Sequence, residues 1–127
     1  MDEHGARQIR SYQDLDVWKV GVDLVAIVYK VSSRLPADER FGLISQVRRS
    51  SVSVPANFAE GYGRNSNKDF VRFLRMAQGS LKETETHLHV AVRLEMLTHA
   101  DVEQALTVAD RLGRMILTLV RALEDRQ

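Results

Sequence analysis

Apolar residues recur at steps of three and four along almost the whole chain, and the β-branched residues do not alternate. That period belongs to helices rather than strands. Four segments carry it. The first runs from about Asp14 to Ser33, with Asp14 or Asp16 placed to cap it and Leu15, Trp18, Val22, Val25 and Tyr29 as the expected inward row. Pro36 biases Leu35 away from helical backbone and so closes this segment. The second takes Asp38 as N-cap and turns Ile44, Val47, Ser51, Val54 and Phe58 inward, and Gly61 and Gly63 offer terminating positions. Ser66 with Asp69 opens the third. Its inward row is Phe70, Leu74, Ala77, Leu81, Thr84, Leu88 and Ala91, and it extends towards Leu97. The fourth starts near Asp101 with Val102, Ala105, Ala109, Leu112, Ile116, Leu119 and Leu123 as a regular heptad. Short connections make neighbouring helices run antiparallel. The expected fold is all-α: an up-down-up-down four-helix bundle over positions 13–127, behind a flexible tail over 1–12. The third helix, about 45 Å long at ~1.5 Å per residue, is expected to outreach the others.

The second segment breaks the habits of a good helix. Its stretch "RRSSVSVPANFAEGYGR", positions 48–64, holds three serines, an asparagine, a proline and two glycines. Pro55 has no N–H, and its ring crowds the carbonyl of Ser51. Val54 and Phe58 nevertheless keep the register of Ile44 and Val47, so the spacing favours a continuous helix with a proline kink. Gln46, Arg49, Ser53, Asn57 and Glu60 form a second row, about 140° around the helix from the first. A solvated face favours Lys, Glu and Ala. Short polar side chains instead let another backbone come close and lose little rotamer entropy when ordered. The row therefore reads either as a subunit interface or as an ordinary wet surface. On the third helix Asp69, Met76, Ser80, Glu83 and His87 share one narrow sector, and Glu83 could meet Arg49 within or between chains.

Charge changes the picture only through its distribution. The total is +1, yet positions 64–82 hold Arg64, Lys68, Arg72, Arg75 and Lys82 against the single acid Asp69. These five cations fall within about 80° of arc opposite the core row, with Gly79 in the gap between the last two. Such a ridge can neutralise phosphates of RNA or DNA without reading sequence. It can equally be a solvated face, and it has no aromatic residues arranged for base stacking.

Other chemistry finds little support. There is no cysteine, which removes disulfides and thiolate chemistry and fits a cytoplasmic protein. No apolar run reaches the ~18 residues of a membrane span. The Glu83–His87 and Glu85–His89 spacings could each offer two ligands to a metal, but the other inward rows supply none to complete a bundle site. "GYG" at 61–63 lacks the strand and the Gly-Lys-Ser/Thr of a phosphate loop. No catalytic residue, metal or cofactor is expected, and an enzyme is the least supported class.

Three blocks carry a family resemblance: "YQDLDVWKVGVDLV" (12–25), "FGLISQVRRSSVSVPANFAEGYGR" (41–64) and "DFVRFLRMAQGSLKETETHL" (69–88). In order and spacing they resemble the bacterial 23S rRNA-intervening sequence proteins, with the middle block the most specific. The resemblance implies a homopentameric up-down bundle with no assigned catalysis. A related branch, the accessory proteins of diversity-generating retroelements, is a basic pentamer that contacts nucleic acid and a reverse transcriptase. This chain is less basic than that branch. The resemblance favours a subunit interface at Gln46, Arg49, Ser53, Asn57, Glu60, Ser80, Glu83 and His87, with RNA or DNA as candidate ligand of the ridge. The alternative is an oligomeric adaptor that docks a protein partner and has no nucleic-acid role.

Overall fold

The computed structural model describes residues 8–126. Four helices form: α1 (Asp16–Ser32), α2 (Leu43–Tyr62), α3 (Asn67–Arg93) and α4 (His99–Glu124). Short 3-10 turns at Tyr12–Asp14 and Ala37–Glu39 precede α1 and α2. Each helix packs against two others, α1 on α2 and α4 and α3 on α2 and α4, while the diagonal pairs stay apart. The points of contact run in opposite directions along α1 with α2 and along α2 with α3. On α1 and α2, Arg48 reaches Ser32 and Tyr29 while Pro55 and Phe58 lie beside Gly21. On α2 and α3, Ser50 meets Thr84 and Gly61 meets Phe73. Arg34 with Asp101 and Arg75 with Glu124 tie α4 to α1 and α3.

Caps explain where the helices begin and end. Ser11 accepts from the Gln13 N–H, and Asp14 accepts from Ser11 and Arg10, so the chain is ordered against the bundle from Ser11 on. Tyr12 then stacks edge-on against Trp18. This turn overlaps the end of the expected 1–12 tail, whose positions 1–7 lie outside the described residues. The second helix starts later than Asp38: that residue sits in the 3-10 turn, and the Glu39 carboxylate instead accepts from the Leu43 N–H at 3.0 Å. Thr98 and Asp101 form a reciprocal capping box, which starts α4 at His99.

The end of α3 differs from the expected reach to Leu97. Glu95 takes a left-handed φ of 62°, the only described non-glycine residue that does. The Glu95 N–H donates to the Val92 carbonyl and the Met96 N–H to the Ala91 carbonyl, the pairing of a Schellman stop. At 27 residues α3 barely exceeds α4 at 26, so it does not outreach its neighbour.

The inward rows of α2 and α3 are largely as their spacing predicts, and α4 departs only where Val120 replaces Leu119 inside. In α1 the expectation is off by one position. Val17, Val20, Leu24, Val28 and Val31 fill the core, while Val22 and Tyr29 remain 39% and 43% exposed. Both rows of α1 have helical spacing, so periodicity cannot choose between them. Gly21 decides: a Cβ there would lie 3.3 Å from both Pro55 and Phe58, so α2 rides directly on the glycine and rolls the neighbouring row outward.

That contact also accounts for part of the unusual α2 composition. Pro55 is buried inside an unbroken helix. Ser51 is fully buried and turns its hydroxyl back to the Arg48 carbonyl, so it fits at the helix contact without an unpaired polar atom.

Candidate functional site

Two surfaces flank α3, one along its seam with α2 and one along its outer edge towards α4. The α2–α3 seam is closed at its base by hydroxyls. Ser50 and Thr84 are buried and 2.8 Å apart, and Thr84 donates on to the Ser80 carbonyl. One layer out, Ser53 and Ser80 pair at 2.9 Å, and the Asn57 amide donates to the Ser53 carbonyl and hydroxyl. Part of the short-residue row therefore serves close packing within the chain. The same atoms, half-buried, form the floor of a shallow outer surface.

Along that surface α3 carries Met76, Ser80, Glu83, His87, Val90 and Leu94, spaced by four, three, four, three and four. This is a second heptad row beside the buried one. Met76 is 48% and Leu94 56% exposed, and Phe41, in the connection just before α2, is 87% exposed. Extending the Met76–His87 steps past position 87 finds Val90 and Leu94 in the sequence. Phe41 gives no such signal, because it lies in a connection. Gln46, Arg49 and Glu60 rim the α2 side and are exposed. Arg49 and Glu83 do not pair within the chain: Arg49 donates to the Ser45 hydroxyl, and Glu83 lies 3.5 Å from His87 Nε2. At that separation the two ring and carboxylate atoms are close but not hydrogen-bonded, and His87 Nε2 is buried without a donor or acceptor partner.

The basic residues line up along the outer side of α3, but most are occupied. Arg64, in the turn before α3, pairs with Glu60 at 3.0 Å. Arg72 lies 3.9 Å from Asp69, Arg75 2.9 Å from Glu124 and Lys82 3.2 Å from Glu85. All lie at the surface, with only Glu85 mostly covered at 17% exposure, and such pairs are worth at most about 1 kcal/mol each. Arg64 and Arg72 both stack on Phe73, 4.8 and 4.7 Å from its ring centre. The ring is thus sheltered by its own arginines rather than open to a base. Lys68 is exposed. The acids Glu60, Glu85 and Glu124 that temper this ridge come from outside the 64–82 window, so the window alone overstates its charge.

No group of three or more potential metal ligands gathers among the described residues. No described helix is long and apolar enough to cross a membrane.

A closed ring of four helices around one buried apolar row defines an all-α four-helix bundle protein. The family model for the 23S rRNA-intervening sequence protein matches residues 13–118, and the chain belongs to that family. Its structure is similar to that of a protein of unknown function from the S23 ribosomal protein family of Bacteroides thetaiotaomicron, with a TM-score of 0.75 and 22% identity over 82% of this chain and 97% of that one. At that identity the likeness speaks for the fold alone. No curated protein matches the chain.

Proposed function

We propose that this chain is a non-catalytic, self-assembling bundle, a homopentamer in which the α2–α3 seam meets a sister copy. The observation that carries this reading is the outer heptad row of α3. A helix that needed one partner face would place Lys, Glu or Ala at positions 76, 90 and 94. This one exposes Met76, Val90 and Leu94 beside a floor of small hydroxyl and amide side chains. Apolar anchors around a flat, low-entropy centre favour burial against another surface. Assembly would also repeat the ridge of Arg64, Lys68, Arg72, Arg75 and Lys82 on every copy. Repeated positive fields sum, which makes RNA or DNA the ligand class the ridge fits.

Sedimentation of the wild type and of Ser53→Arg tests the assembly. The arginine must sit in the seam, and the ring is expected to fall to single chains. A variant ring of unchanged mass would place the interface elsewhere. The ridge is tested by titrating RNA and DNA against salt with the wild type and with Arg72→Glu/Arg75→Glu. Loss of binding in the double variant supports phosphate contact. Undiminished binding, or none by the wild type at low salt, removes it.

The adaptor reading is favoured by one specific observation: four of the five ridge cations already face carboxylates of their own chain. A pull-down unaffected by nuclease would favour it over nucleic-acid contact.

A further inference from the structure

Nothing among the described residues explains Gly79. It lies in the middle of α3, and a Cβ built on it would meet nothing within 4 Å. The comparison with Gly61 is direct: there a Cβ would come within 2.7 Å of Phe73, so close packing requires the glycine. A mid-helix glycine is destabilising relative to alanine because it loses more backbone entropy. Nothing inside the bundle offsets that at position 79, so a contact from outside the chain is the remaining physical reason for a bare backbone.

The surroundings describe what comes. Gly79 floors a groove of about 270 Å³ between α3 and α4. Leu117 of α4 lines it and is 39% exposed, and Arg75 and Lys82 stand at its two ends. The groove is apolar at its base and cationic at its rim. It accepts a surface that brings apolar side chains flanked by carboxylates. The α2–α3 seam of this same protein is such a surface, with Met76 and Leu94 exposed beside the exposed carboxylates of Glu60, which its own Arg64 shares, and Glu83.

We infer that the α3–α4 groove at Gly79 is the second half of the subunit interface, receiving the α2–α3 seam of the next copy. The inference rests on the self-assembly proposed above and adds its handedness: the contact is head-to-tail. Geometry supports the choice of faces. The seam and the groove are neighbouring sides of the bundle and share α3. Their outward directions therefore diverge by roughly a right angle, near the about 108° that closes a fivefold ring. Opposite sides of a bundle would instead propagate an open filament. The bare backbone at Gly79 lets a neighbour approach between the two cations, and the exposed pairs of Arg75 with Glu124 and Lys82 with Glu85 can exchange partners on contact.

Sedimentation and thermal melting of purified full-length variants test this. Gly79→Ala is expected to leave the lone chain folded and more heat-resistant while weakening assembly. Gly79→Leu is expected to raise the dissociation constant of the ring by about tenfold or more, as loss of a central contact does. Arg75→Glu/Lys82→Glu is expected to dissociate the ring, Glu60→Lys/Glu83→Lys likewise, and the fourfold variant to restore it. A wild type that sediments as a single chain overturns the self-assembly reading and this inference with it. A wild-type ring that persists unchanged in Gly79→Leu and in Arg75→Glu/Lys82→Glu overturns this inference alone. Intact assembly with lost RNA or DNA binding in Arg75→Glu/Lys82→Glu gives the groove to a polyanion and also overturns it.

Discussion

Glu95→Gly should stabilise the protein, although it removes every side-chain atom at that position. Glu95 ends α3 with a φ of 62°. For an L-residue the left-handed region costs about 1–2 kcal/mol, because Cβ crowds the following carbonyl oxygen. The Schellman bonds from Glu95 and Met96 to the Val92 and Ala91 carbonyls hold the residue there regardless. Glycine removes the crowding but adds freedom to the unfolded chain, which gives back about 0.5–1 kcal/mol. The net gain is about 0.5–1 kcal/mol, or a rise of about 2–4 °C in melting midpoint for a chain of this size. Glu95→Ala is the control, since it keeps the Cβ and loses only the exposed carboxylate. Thermal melts by circular dichroism, all at one protein concentration because the proposed assembly would make the midpoint concentration-dependent, measure the difference. A glycine variant no more stable than the alanine variant would refute the reasoning.

Gly61→Ala should destabilise by about 1–3 kcal/mol, since the new methyl would lie 2.7 Å from Phe73 Cβ and 3.0 Å from Phe70 Cδ1; a urea midpoint equal to wild type would mean that α2 and α3 separate freely. Acid should weaken the fold in a defined direction. Backbone N–H bonds, from Arg10 first and Ser11 next, hold the Asp14 carboxyl below its ordinary 3.8. The Thr98 N–H does the same for Asp101. A lowered folded-state value means that this stabilisation is complete above the ordinary carboxylate range and fades as pH falls through and below 3.8. Urea titrations at stepped pH should show that decline, and Asp14→Asn/Asp101→Asn should flatten it; equal slopes in both proteins would assign the acid sensitivity to other groups.

The four helices, their approximate limits and three of the four inward rows were legible in the sequence. They follow from local period, from the Ser66 cap, and from the breaking effect of Pro36, all of which act within a few residues. The surface was legible only in part. Ser53 and Ser80 stood out by type, yet their hydrogen bond joins residues 27 positions apart and turns part of a suspected interface row into internal packing. The ridge read as five open cations, because Glu124, which holds Arg75, lies 49 positions away.

What the sequence decided by itself was that this chain makes helices with an apolar side. Which side of α1 faces inward was decided by tertiary structure alone, because two rows of equal spacing compete and only the contact of Pro55 and Phe58 on Gly21 separates them. The same holds for Gly79. Its neighbours in sequence mark it as an ordinary helix position, and only the packed bundle shows that none of the described residues needs it bare. Local backbone preferences act over a turn or two, whereas the partner of a side chain is set by which helices pack together.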